Sequence, residues 1–240
     1  MSGHSKWATI HRSKEVKDVK RGAAFTKLGR AITVAVKEGG GVSDPEQNFK
    51  LRLAVDKARQ VNMPKENITR AIEKAAGGGG DQLTESLFEG FLPGGAAVLV
   101  QVLSDNRLRT AQEVRGILDK GGGTLGGSGS VSYQFRQMGE VIVTAKSGKT
   151  IEEQELELID AGAEDIDQVE NKIVIHCQPK STFEVKEAVE KLGYQVESAE
   201  LTMHPTSLVS VDELTQARIE TLLEKIEDLD DVQKVYTNYA

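Results

Sequence analysis

Four consecutive glycines at positions 77–80 mark the place where the hydrophobic period of this chain changes. Before them apolar residues recur at three- and four-residue spacing, as Phe25, Leu28, Ile32 and Ala35/Val36 do. After them come short blocks of Val, Leu and Ile, such as residues 96–103. The first pattern is one stripe of a helix and the second is a strand, so a helical part and a sheet part must fold around separate cores. The glycines between them read as a flexible joint. At 240 residues, two or three domains are expected, each long enough to bury a core.

The same joint divides charge. Residues 1–80 hold 16 basic and 8 acidic side chains, net +8, whereas residues 81–240 hold 14 and 29, net −15. The whole-chain value of −7 hides this separation. A basic head on an acidic body is the footprint of a protein that grips a polyanion. Within the head, residues 2–37 carry nine Lys or Arg against two acids, with Trp7 and Phe25 among them. Cations pair with phosphate and release its condensed counterions, and a flat ring offers a stacking face to a base. The candidate contacts are Lys6, Arg12, Lys14, Lys17, Lys20, Arg21, Lys27 and Arg30, with Trp7 as stacking platform or as a packing anchor for the arm.

Residues 1–14 show no clear period and read as an extended or loosely helical arm. A helix is predicted from Lys17 to the glycines at 39–41. A second starts with Asp44 as N-cap and Pro45 in its first position, burying Leu51, Ala54, Val55 and Ala58. A third starts at Pro64 and buries Ile68, Ala71, Ile72 and Ala75. Beyond the joint the pattern predicts strands at 83–91 and 96–103, a helix at 107–120, a glycine-rich connector at 121–129 and a strand at 131–135. Residues 140–202 then read as βαββαβ, the split-βαβ or ferredoxin-like plan. A last strand–helix–strand covers 208–211, 212–229 and 232–236. Neither this fragment nor the ββα after the joint can cover its own sheet, so the two are expected to combine. The fold class is therefore α+β and multidomain: an N-terminal three-helix domain and two ferredoxin-like α/β domains, one inserted into the other. The expected domains are 1–80, 81–135 with 205–240, and 136–204.

Several segments resemble chemical motifs. Ser147-Gly148-Lys149-Thr150 has the tail of a phosphate-binding P-loop, but the glycine required five residues earlier is Val143, so it reads as a turn and helix start. The glycine-rich connector carries no dinucleotide fingerprint, although a backbone nest for an anion remains open there. Cys177 is the only cysteine, so neither an intrachain disulfide nor a zinc cluster is expected. His4, His11, His176 and His204 lack metal spacing, and neighbouring His176 and Cys177 on a strand point to opposite faces. No catalytic constellation, metal site, cofactor site or small-molecule site is expected. Arg107 and Arg109 stand out as a basic spot on the acidic body and are candidates for a second polyanion contact; Asp105 or Asn106 would cap the helix they begin. With no secretory signal and no membrane-length apolar run, a cytoplasmic protein is expected.

The segments GHSKW, KRGAAFTKL, LRLAVDKAR, NMPKENITRAI, PGG, DNRLRTAQEVR, GSVSYQF and LDDVQKVYTN together resemble the YebC/PmpR family, nearly end to end. The resemblance implies a helical N-terminal domain and two α/β domains, one inserted into the other. It implies a cytoplasmic, DNA-binding transcriptional regulator, or alternatively a translation factor that binds ribosomal RNA on the ribosome and relieves stalling at proline runs. The family's basic N-terminal motif falls on residues 3–7 and 20–30. Ala23-Ala24 departs from the pattern, where relatives often carry another Lys. Two further classes stand beside these readings: a metal-dependent enzyme acting on nucleic acid, and a protein-docking module without nucleic acid. No base-reading helix-turn-helix is evident, so tight promoter specificity is not expected.

Overall fold

The computed structural model describes residues 18–77 and 83–240. The expected arm at 1–14 lies outside them. Helix α1 spans Asp18–Glu38, α2 Phe49–Gln60 and α3 Lys65–Ala76. The predicted stripes meet: Leu28, Ile32, Ala35 and Val36 of α1 pack with Leu51, Val55 and Ala58 of α2 and with Ile68 and Ala75 of α3. Each fully buried Leu or Ile contributes about 2 kcal/mol. Helix α1 ends where Gly40 and Gly41 take left-handed φ of 70° and 84°, which lets the Gly41 N–H turn back to the Val36 carbonyl at 2.9 Å.

Helix α2 begins later than expected. Asp44 accepts from the Glu46 N–H at 3.0 Å and holds a turn over Pro45, while the cap is Asn48. The Asn48 side chain accepts from the Leu51 N–H at 3.1 Å and donates to the carbonyls of Ala35 and Val42 at 2.8 and 3.1 Å. It therefore caps α2 and ties it to the end of α1 at once. The approach is close enough that a Cβ on Gly39 would collide with the Asn48 side chain.

The expected joint at 78–80 lies outside the described residues; after it, β1 (Thr84–Phe91) and β2 (Ala97–Ser104) form a hairpin through the turn Pro93–Gly95. Helix α4 (Arg107–Gly121) leads to the two-residue strand β3 (Thr124–Leu125). Helix α7 (Glu213–Glu227) leads to β8 (Val232–Thr237). The sheet order is β3-β1-β2-β8, antiparallel throughout. Phe88, Val98, Val100 and Val102 pack against Val114 and Leu118 of α4 and against Ile219, Leu222, Leu223 and Ile226 of α7, so both helices cover one face. The fragments that could not cover their own sheets do cover one together.

Two predicted strands are absent here. Residues 132–134 form a 3-10 turn, because the N–H groups of Val131 and Ser132 are taken by the Glu89 carboxylate rather than by a ladder. Residues 208–211 make only an isolated parallel bridge, Val209 to Tyr239. Beside it Asn238 uses its side-chain oxygen to accept from the Ala97 N–H at 2.7 Å, and the Val209 N–H bonds the Asn238 carbonyl at 2.7 Å.

Residues 135–206 form a compact unit of their own, while the described residues before 135 and after 206 belong to a second. In the first unit β4 (Phe135–Thr144), α5 (Ile151–Asp160), β5 (Asp165–Val169), β6 (Lys172–Cys177), α6 (Thr182–Lys191) and β7 (Gln195–Pro205) follow one another. The order β5-β6-β4-β7 is the split-βαβ arrangement. Val141, Val143, Ile173, Ile175 and Cys177 meet Leu158 of α5 with Val185 and Val189 of α6. The chain is thus an α+β protein in which a helical region precedes two antiparallel sheets, each carrying helices.

Replacing Asn48 with Ala removes one cap acceptor and two buried donors. Urea unfolding should show a loss of about 2 kcal/mol; a loss below about 0.5 kcal/mol would mean that water replaces these bonds at no cost.

Candidate nucleic-acid interface

The candidate cations separate into different environments. Lys6, Trp7, Arg12, Lys14 and Lys17 lie outside the described residues. Lys20 and Arg21 fall at the start of α1. Lys27 and Arg30, further along α1, are drawn into the protein. Lys27 Nζ donates to the Glu227 carbonyl at 2.5 Å; burial lowers its pKa despite the nearby charges of Glu227, Asp228 and Asp230. Arg30 Nη1 donates to the Asp230 carbonyl at 2.8 Å and to Asp231 Oδ1 at 2.5 Å. These two expected phosphate contacts are thus each engaged inside the protein, by the Glu227 and Asp230 carbonyls and the Asp231 carboxylate.

Arg109 ends at the same acid. Its Nη2 donates to Asp231 Oδ2 at 2.8 Å and to Asp105 Oδ1 at 3.0 Å, while the side chain stays half-exposed. Arg107, two residues earlier, is exposed as well. The cap of α4 is Asn106, which accepts from the Arg109 N–H at 3.1 Å.

Asp231 is the residue that sequence reasoning missed. It is only 5% exposed, and its carboxylate also accepts from Thr110 Oγ1 at 2.6 Å and Ser104 Oγ at 3.0 Å. Burial pushes its pKa up, but the donors Thr110, Arg109, Ser104 and Arg30 outweigh burial and bring it down to about 2. In sequence it is one acid in the run Glu227-Asp228-Leu229-Asp230-Asp231, which looks like a solvated face. The signal present was indirect: Asp231 directly precedes the strand whose Val232 enters the core.

Other cations of the helical region sort the same way. Lys50 pairs with Glu38 at 2.5 Å and Arg52 with Glu46 at 2.9 Å. On α3, Lys65, Arg70 and Lys74 are exposed, Arg70 and Lys74 one turn apart.

The nest left open in the glycine-rich connector exists, but it is filled. Glu89, buried on β1, accepts from the N–H groups of Gly129, Val131 and Ser132 at 2.7, 2.8 and 2.8 Å. Burial raises its pKa, and the three N–H donors reverse that to a net lowering. An internal carboxylate thus occupies the place of an external anion. At the P-loop-like turn, Thr150 and Glu153 form a capping box and Lys149 pairs with Glu157, so that lysine is also engaged. Cys177 is buried, and burial pushes its thiol up to about 11, which removes thiolate reactivity near neutral pH. Among the described residues no cluster of three or more His, Cys, Asp or Glu could hold a metal ion, and no helix is long and apolar enough to cross a membrane.

Comparison with known proteins places these features in a lineage. The TACO1/YebC N-terminal domain family matches residues 5–78, and the TACO1/YebC second and third domain family matches residues 83–239. The chain is 45% identical over 239 residues to the probable transcriptional regulatory protein TTE1135 of Caldanaerobacter subterraneus subsp. tengcongensis, covering 99% of this chain and 98% of that protein. It is 47% identical over 241 residues to the probable transcriptional regulatory protein lmo1535 of Listeria monocytogenes, covering 99% and 98%. The crystal structure of the conserved hypothetical protein Aq1575 from Aquifex aeolicus superposes with a TM-score of 0.87 at 44% identity, covering 98% of this chain and 97% of that one.

Since the folded-state pKa of Asp231 lies below its ordinary value of 3.8, its contribution is present above pH 4 and is lost as pH falls towards 2. Between pH 5 and pH 2 this amounts to about 2 kcal/mol. Urea unfolding of the wild type and of Asp231→Asn across that range should diverge by this amount; parallel curves would show that the carboxylate is not held as described.

Proposed function

The chain belongs to the TACO1/YebC family, and from that premise we propose that it is a non-enzymatic nucleic-acid-binding regulator of gene expression. The carrying observation is the sorting of charge along α1. Lys27 and Arg30 are used inside the protein, whereas Lys20 and Arg21 lie beyond that junction, towards the basic arm. The proposed contact set is therefore Lys6, Arg12, Lys14, Lys17, Lys20 and Arg21, with Trp7 stacking on a base. Exposed Arg70 and Lys74 of α3 add cationic surface to the same helical region. Residues 81–240, at −15, repel phosphate and favour binding through the helical region.

The relatives named above carry the description of transcriptional regulators, which supports DNA as the polyanion. A second reading, a translation factor acting on ribosomal RNA at proline-rich stalls, is favoured by the make-up of the arm. One aromatic set among cations suits unstacked bases in structured RNA at least as well as a duplex.

If five or six of the proposed cations engage duplex DNA, log affinity should fall with log salt at a slope of about −5. A slope near zero would end the proposal. Reversing Lys17, Lys20 and Arg21 to Glu should make the slope less negative by about 3; unchanged function in that variant would instead support a docking module. Sedimentation with ribosomes beside a gel shift on promoter DNA separates the two readings. Co-migration without a specific shift would favour translation.

A further inference from the structure

Helix α5 carries its most exposed apolar residue on the side where an amphipathic helix is polar. Leu158 enters the core, and Gln154, one turn before it, is buried as well. Leu156 lies two residues from each, about 200° round the axis and so opposite the core. It is 65% exposed, and Ile159, its neighbour one turn on, is 55% exposed. Glu152, Glu153 and Asp160 stand three or four positions from Leu156, and Glu155 stands one turn before Ile159. The pair is therefore an apolar ridge bordered by acids. Those acids do not serve the helix. Glu153 closes the capping box with Thr150, and Glu157 is held by Lys146, Lys149 and Tyr194. Among the described residues no cation pairs with Glu152, Glu155 or Asp160. Glu152 and Glu155 are close enough to repel one another. The last turn has no base, so Asp160 stands at the negative end of the helix dipole, where an acid costs stability.

We infer that the outer face of α5 is a docking surface for a basic protein segment: a Lys- and Arg-rich helix that lays an apolar stripe on Leu156 and Ile159 and sets its cations over Glu152, Glu155 and Asp160. Charge selects this occupant. A second α5 would set acids against acids, and nucleic acid or an anionic membrane would be repelled in the same way. A neutral apolar partner would leave three carboxylates at its rim unanswered. The ten-residue face is about 15 Å long, which fits about three turns of one helix, so the contact is small and reversible. The face lies within the 135–206 unit and works whichever polyanion the helical region binds; it would bring a basic protein to the same chain.

The test uses the full chain and a labelled peptide of roughly 18 residues of Leu, Ala and Lys whose leucines form one helical stripe, titrated by fluorescence anisotropy over a salt series. The wild type should bind it about 10-fold tighter than a scrambled peptide of the same composition. Leu156→Gln with Ile159→Gln, which keeps helix propensity, should weaken binding about 10-fold and leave its salt dependence in place. Glu152→Gln, Glu155→Gln and Asp160→Asn together should weaken it too, most strongly at low salt. Neither variant should lower the urea midpoint, since the ridge lies outside the core. Equal binding of the scrambled peptide, or of the Leu156→Gln and Ile159→Gln variant, would reveal charge attraction without a docking face and would overturn the inference. A clear fall in that variant's urea midpoint would do the same, by making the ridge a structural contact. Sedimentation of the purified chain checks the remaining occupant. Equal mass for wild type and variant supports a foreign partner, whereas a dimer lost on substitution would assign the face to a second copy and overturn the basic-partner reading.

Discussion

A carboxylate withdrawn from water must have its charge and lone pairs satisfied by the protein, and Asp231 meets that demand with donors from three separate segments. Its partners Arg30 and Arg109 stay 25% and 47% exposed, so solvent screens each pair and the buried carboxylate relies on its donors acting together. Its effect reaches beyond local stability. The helical region and the first sheet have separate cores, and this acid, with the Lys27 contact to Glu227, couples them. The opposite signs of the two halves are therefore used inside the protein, where the 227–231 loop captures α1 through Lys27 and Arg30.

The acidic body solves the same problem elsewhere. Glu89 is held in its charged form by three backbone N–H donors rather than by a cation, and in doing so it shapes the 126–132 loop. Glu157 is held by Lys149, Lys146 and the Tyr194 hydroxyl, which brings its pKa down to about 2. In each case what resembles an anion-binding device is already filled by a side chain of the protein. Part of the acidic excess is thus structural, and the phosphate-binding motifs that the sequence seems to offer are closed.

Much of the architecture was legible because periodicity is a local property. The α1 stripe at Leu28, Ile32 and Val36, the hairpin around Pro93-Gly94-Gly95 and the βαββαβ order of residues 140–202 all follow from spacing alone. The misreadings share a cause. Residues 131–135 have strand-forming composition, yet Glu89, more than 40 residues away in the chain, takes the N–H groups of Val131 and Ser132. Asp44-Pro45 is a sound helix-start signal, but Asn48 could reach Ala35 and Val42 as well as Leu51, and it became the cap. The candidate cations were legible as a class and not as individuals: nothing near Lys27 or Arg30 in sequence announces the 227–231 loop that holds them.

By itself the sequence determined the helical and strand segments, the separation of charge about the glycines at 77–80 and the lineage, since these depend on residue type and short spacing. The tertiary structure alone decided which charges are spent. Arg30, Arg109 and Asp231 are separated by 79 and 122 positions, and no local rule links them. Coulomb attraction and desolvation depend on distance in space and on exclusion of water, and both come into being only when the chain has folded.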